Sequence, residues 1–111
     1  MPRIKLCRLE ELEPIDSRGF ELDESDHDHG IFIVRNGNTV VAFQNSCPHD
    51  LTPLNWSPDV FLSYDKEYIQ CANHGALFEI HDGRCIYGPC NGQALERLSI
   101  EIEDNIIYVV V

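Results

Sequence analysis

Apolar positions along this chain gather in short runs of β-branched and aromatic residues and rarely recur at helical spacing. Ile31 to Val34 and Thr39 to Phe43 are two such runs, and Asn36-Gly37 between them offers the positive-φ residues of a tight turn, which predicts a β-hairpin. Leu77 to Ile80 and Cys85 to Tyr87 flank Asp82-Gly83 in the same way. Leu98, Ile100 and Ile102 alternate with Ser99, Glu101 and Glu103, before a turn at Asp104-Asn105 and a final apolar run through Val111. This period-two alternation predicts strands with one buried face. The best helical spacing, Leu6, Leu9 and Leu12, is cut off by Pro14, and the segment is read as a short strand followed by a turn. The pattern as a whole predicts an all-β chain.

No repeat, low-complexity tract or Pro/Gly-rich linker interrupts the sequence, so residues 1–111 are read as a single domain. An apolar share of 43% is ordinary for a packed core and argues against disorder. Eight Lys and Arg against nineteen Asp and Glu leave a formal charge of −11. A field of that sign repels phosphates and anionic membrane surfaces, so neither nucleic acid nor membrane is an expected partner, whereas a basic protein surface is. The opening MPRIKLCRLEELEP has no apolar run suited to a signal peptide, and no stretch reaches transmembrane length, which makes the cytoplasm the expected location. In a reducing compartment five cysteines, an odd number, point to metal ligands or catalysis rather than to a disulfide framework.

Asp23 to Gly30 (DESDHDHG) reads as a solvated acidic loop, with His27 and His29 as surface histidines rather than ligands. A sharper pattern is Cys47-Pro48-His49 followed by Cys71-Ala72-Asn73-His74-Gly75. Each pair sits in a loop after a predicted strand, where a turning chain can aim two side chains at one point. Two thiolates and two imidazoles suit either tetrahedral zinc or an iron–sulfur cluster. Isolated cysteines are often buried as small hydrophobes, but that reading needs chance to act at both motifs. Zinc fingers tend to pair Cys with Cys and His with His. A mixed pair from each loop is what a two-iron cluster needs when one iron takes both cysteines and the other both histidines.

At these residues the sequence resembles the Rieske [2Fe-2S] family, specifically its small soluble ferredoxins. The resemblance continues through His74-Gly75-Ala76-Leu77-Phe78, His81-Asp82-Gly83-Arg84-Cys85 and Gly88-Pro89-Cys90 to Leu95 and the last strands. It implies an antiparallel β-sandwich with a small inserted cluster-binding subdomain of about residues 44–92, and one [2Fe-2S] cluster per chain. Cys47 and Cys71 would hold the inner iron, His49 and His74 the outer one, and Gly88-Pro89 would cover the cluster's flank. Gly75 and Gly88 also suit a backbone that must approach bulky sulfides, although ordinary turn geometry explains either equally well.

High-potential members of the family staple the two cluster loops with a disulfide, but Thr52 and Asn73 stand where those cysteines would be. The same members place Ser and Tyr after the second histidine as hydrogen-bond donors to sulfur; here the residues are Ala76 and Phe78. Losing donors that stabilise the reduced cluster lowers the expected potential, and a carboxylate at Asp50 beside His49 acts in the same direction. The expectation is a midpoint nearer the roughly −150 mV end of the Rieske range than the +300 mV end. The spacing between the motifs is longer than usual in the family, with the extra residues near Ser57 to Lys66. Leu51, Pro53, Leu54 and Trp56 could form an apolar docking tip or pack as core, and for Trp56 packing is the favoured reading. Cys7, Cys85 and Cys90 remain once the ligands are assigned; Cys85 and Cys90, in or beside the last hairpin and the third loop, are read as buried thiols, a disulfide between them being disfavoured in the cytoplasm.

No GxGxxG fingerprint is present, and the chain is short for the mononuclear-iron domain that Rieske oxygenases add, so no catalysis of its own is expected. The resemblance implies a one-electron carrier, monomeric, between a flavin-type reductase and an acceptor such as an oxygenase. The alternatives are a fixed small subunit of a nitrite-reductase-type enzyme, or a sensing module in which a cluster or zinc is structural.

Overall fold

A computed structural model of the protein describes residues 3–20, 30–46, 48, 54, 59–72, 75–88 and 92–110. Its elements are β1 (Arg3–Arg8), a single 3-10 turn (Leu9–Glu11), β2 (Ile15–Phe20), β3 (Ile31–Asn36), β4 (Thr39–Gln44), β5 (Ile69–Gln70), β6 (Leu77–Phe78), β7 (Cys85–Tyr87), β8 (Arg97–Leu98), β9 (Ile100–Glu103) and β10 (Ile106–Val110). The strands form three antiparallel sheets: a terminal sheet β1-β10-β9, a central sheet β2-β3-β4-β8 and a small sheet β5-β6-β7. The all-β expectation holds, as does the strand-then-turn reading of the first dozen residues. Arg35 fixes that turn by donating to the carbonyl oxygens of Leu9 and Leu12 at 3.3 and 2.8 Å.

The central sheet is covered on both faces, which explains the unbroken apolar run Ile31 to Val34. Ile33 and Ala42 meet Cys7, Leu12 and Ile107 on the side of the terminal sheet. Phe32, Val34, Val41 and Phe43 meet Ile69, Cys71, Phe78 and Cys85 on the side of the small sheet. Ser99 lies between β8 and β9, where the chain passes from the central to the terminal sheet, and its carbonyl oxygen accepts from Val110 N at 2.9 Å.

Two sequence expectations need correction, and one strand has no counterpart among them. Asn36 pairs with Thr39, so the β3–β4 turn is Gly37-Asn38 rather than Asn36-Gly37. Gly37, with φ of 65°, takes the first central position, which needs a positive φ in a type II′ turn. The alternation in β9 does not bury all its apolar side chains: Ile102 is 44% exposed. β2 was not anticipated, because IDSRGF has no clear apolar alternation; it forms an edge strand through six antiparallel partners on β3. The Asp104-Asn105 turn forms as expected, with φ of 54° and 63°.

Candidate metal centre

Each Cys-His motif begins where a strand of this scaffold ends. β4 finishes at Gln44 and leads through Asn45 and Ser46 to the first motif, while β5 finishes at Gln70 and leads directly into Cys71. Cys71 is fully buried. Its N–H donates to the carbonyl oxygen of Ala76 at 2.9 Å, and its own carbonyl oxygen accepts from Gly75 N at 2.8 Å. These bonds join Cys71 to Gly75 and Ala76 between β5 and β6, with Gly75 at φ of 68°.

The loops are joined at Leu54. Its N–H donates to Asn45 Oδ1 at 2.8 Å, and its carbonyl oxygen accepts from Ala72 N at 2.7 Å. The Leu54 side chain is fully buried in the same core as Cys71, so it packs as core rather than forming a docking tip. Sequence reasoning gave Asn45 no role. The available signal was an amide residue at the end of an apolar strand, since a side chain of that kind requires partners when buried.

A third segment closes on the second loop after β7. Gly88 has φ of 103°, and a Cβ built there would lie 2.9 Å from Ala76 Cα and 3.0 Å from Ala76 Cβ. The close approach required of Gly88 is therefore to the backbone of the Cys71 loop. At Gly75 no described atom lies within 4 Å of such a Cβ, and turn geometry is the sufficient reason for glycine. The hairpin between the two segments turns at Gly83, whose N–H donates to Glu79 O at 2.8 Å. Asp82 Oδ1 accepts from Arg84 N at 3.0 Å, and this bond holds the Asp82 carboxyl below the usual carboxylate range.

Of the four proposed ligands, Cys71 is among the described residues; Cys47, His49 and His74 lie outside them, as do Asp50, Thr52, Trp56, Asn73, Pro89, Cys90 and the His27–His29 segment. Among the described residues no group of three or more His, Cys, Asp and Glu side chains converges on a point. Ala76 and Phe78, neither of which carries a side-chain hydroxyl, are fully buried in the core that contains Cys71. His81 is a surface histidine, with Nε2 3.3 Å from Asp82 Oδ2. Cys7 is buried, and burial pushes its thiol pKa up. Cys85 is also buried, its sulfur 3.3 Å from the Tyr87 carbonyl oxygen.

The surroundings of Cys71 suit a cluster ligand. A cysteine directly after a strand, buried in the same apolar core as Leu54, Ala76 and Phe78, matches what an iron–sulfur cluster requires of a ligand on its protein side.

The sequence model of the Rieske [2Fe-2S] domain matches residues 3–103. Among solved structures, the ferredoxin of carbazole 1,9a-dioxygenase from Nocardioides aromaticivorans IC177 is similar with a TM-score of 0.77 at 21% identity, over 99% of this chain and 98% of that one. The Sphingomonas yanoikuyae B1 ferredoxin gives 0.76 at 18%, over 99% of both chains. A putative nitrite reductase NADPH small subunit gives 0.67 at 16%, over 100% of both. Among curated proteins none matches. Among the described residues no helix is long and apolar enough to cross a membrane.

Proposed function

The chain belongs to the Rieske [2Fe-2S] domain family and binds a [2Fe-2S] cluster, and on that premise we propose that it is a one-electron carrier whose ligands are Cys47, His49, Cys71 and His74. Bound there, the cluster supplies a reversible one-electron change. The observation that carries the reading is Cys71: a fully buried cysteine in a hydrogen-bonded loop that is tied to the first motif's loop through Leu54 and pressed by Gly88. Cys47 is the second thiolate of the inner pair. His49 and His74 form the outer pair, whose remaining ring nitrogens can take or release a proton as the charge of the centre changes.

The proposed partners are a flavin-type reductase and a terminal acceptor such as an oxygenase, with the chain acting as a monomer in the cytoplasm. Its likeness to two ferredoxins over nearly their whole length supports this reading. The formal charge of −11 favours basic partner surfaces. The end-to-end likeness to a nitrite reductase small subunit favours a second reading, a fixed subunit of a larger reductase.

Visible absorption and EPR of the reduced protein test the centre. A Rieske spectrum that is lost in Cys71→Ser and His74→Ala is expected, and a colourless zinc protein would refute the ligand reading. Copurification with a large reductase, in place of a freely diffusing chain, would favour the second reading.

A further inference from the structure

We propose that Asn45 is a positioning residue for the metal centre, its side-chain oxygen holding the two ligand loops together through the backbone of Leu54. The proposal rests on the reading of Cys47, His49, Cys71 and His74 as ligands. Asn45 Oδ1 accepts from Leu54 N at 2.8 Å, and Leu54 O accepts from Ala72 N at 2.7 Å. Asn45 stands just before the first motif, and Ala72 directly follows Cys71. Two hydrogen bonds thus run from the entry of one ligand loop to the neighbour of a ligand in the other.

The linkage is buried and anchored. Asn45 is 6% exposed, and Leu54 and Cys71 are 0% exposed. Asn45 N donates to Gly30 O at 3.1 Å, which ties the near end to the residue preceding β3. At the far end, the Cys71 N–H is held by Ala76 O at 2.9 Å. An amide oxygen suits this position, because it accepts a hydrogen bond without placing a charge in an apolar core. Thr52 and Asn73 leave no cysteine at those positions to staple the loops covalently. The relay therefore sets the separation of the two ligand pairs and restrains the loops from parting and releasing the cluster.

The test uses the full-length holo-protein. Asn45→Leu keeps approximate volume but removes the acceptor, leaving the buried Leu54 N–H without it; Asn45→Asp keeps an accepting oxygen. Two readouts are taken: the rate at which a chelator bleaches the cluster's visible absorption, and the EPR linewidth after reduction. Asn45→Leu is expected to bleach about tenfold faster with broader EPR lines, the scale of an unsatisfied buried donor, while Asn45→Asp recovers most of the lifetime. Parent-like lifetime and linewidth in Asn45→Leu would overturn the positioning role. Amide hydrogen exchange of the parent decides the matter if that variant does not fold. Slow exchange at Leu54 and Ala72, matching Cys71, supports the relay, and exchange as fast as at the fully exposed Tyr64 overturns it. A parent without a Rieske spectrum would overturn the ligand reading and the positioning role together, which separates that failure from a failure of the relay alone.

Discussion

Phe61 lies face to face on Phe32, their ring centroids 4.3 Å apart and their planes 6° from parallel. Phe61 is part of the long segment between the two ligand motifs, and Phe32 is in the central sheet. The backbone beside Phe61 is fastened to β2: Ser17 Oγ donates to Asp59 O at 2.7 Å and accepts from Phe61 N at 3.2 Å, and Asp59 Oδ1 accepts from Gly19 N at 2.9 Å. Residues 59–61 thus cover an edge strand that would otherwise present unpaired backbone groups. Phe61→Ala is expected to destabilise the protein by about 3–5 kcal/mol, as for other large-to-small aromatic changes in cores. Ser17→Ala is expected to cost about 1–3 kcal/mol, because it removes the Phe61 N–H's acceptor. Denaturant titration of both variants measures these costs, and Phe61→Ala with the parent's midpoint would show that the stacked segment contributes nothing to stability.

Gly88 and Gly92 separate backbone strain from close approach. Both have left-handed backbone, with φ of 103° and 96°, so alanine at either position is expected to cost about 1–3 kcal/mol in conformation. At Gly88 the new methyl also meets Ala76 Cα at 2.9 Å, whereas at Gly92 no described atom lies within 4 Å. Gly88→Ala is therefore expected to lower the melting temperature further than Gly92→Ala and to shorten cluster lifetime. Equal effects of the two substitutions would remove the loop-to-loop contact as an explanation.

The absence of side-chain hydroxyls at Ala76 and Phe78 carries a prediction for the reduction potential. The parent midpoint at neutral pH is expected toward the lower end of the Rieske range, nearer about −150 mV than +300 mV. Phe78→Tyr is expected to raise it by supplying a donor near the reduced centre. Protein-film voltammetry of the two proteins checks both statements, and a clearly positive parent potential would contradict the first.

Acid should weaken the fold through carboxylates held below their ordinary range. The Glu11 carboxyl is lowered first by its bond from Arg8 N, at 2.7 Å, and that of Asp82 by its bond from Arg84 N. A carboxylate with a depressed folded-state pKa contributes stability above the unfolded value and loses it as pH falls through the folded value. Melting temperature is therefore expected to fall below about pH 4, and Glu11→Gln with Asp82→Asn should flatten that acid limb. Both groups are exposed, so solvent screening keeps each contribution small.

Steering by charge makes a kinetic prediction. With a formal charge of −11, transfer to a basic acceptor should slow as salt rises from low ionic strength to about 0.5 M, where the screening length is only about 4 Å. Stopped-flow rates that ignore ionic strength would place recognition in uncharged contacts instead.

The hairpin of β3 and β4 was legible because its apolar runs are dense and a glycine lies between them. The family was legible because metal chemistry constrains residue type, so two short motifs that each pair a Cys with a His stand out in the sequence. β2 was not, since a strand with Asp16, Ser17, Arg18 and Gly19 is specified by its partner β3 and by Asp59, which is distant in sequence. Asn45 was hidden for a related reason. Its value comes from a backbone N–H nine positions further along the chain, and local pattern does not record such a pairing.

β3 and β4 bury apolar side chains on both faces, and this leaves their alignment poorly encoded by polarity alone. Sliding one strand past the other by a residue would exchange Phe32 for Ile33 between two equally oily compartments, rather than expose an apolar face to water. The positional information must then come from side-chain shape, as in the Phe32–Phe61 stack, and from the connection. Gly37, with open space around it and a backbone few other residues accept, acts as the index mark that keeps the aromatic face beneath the Cys71 loop.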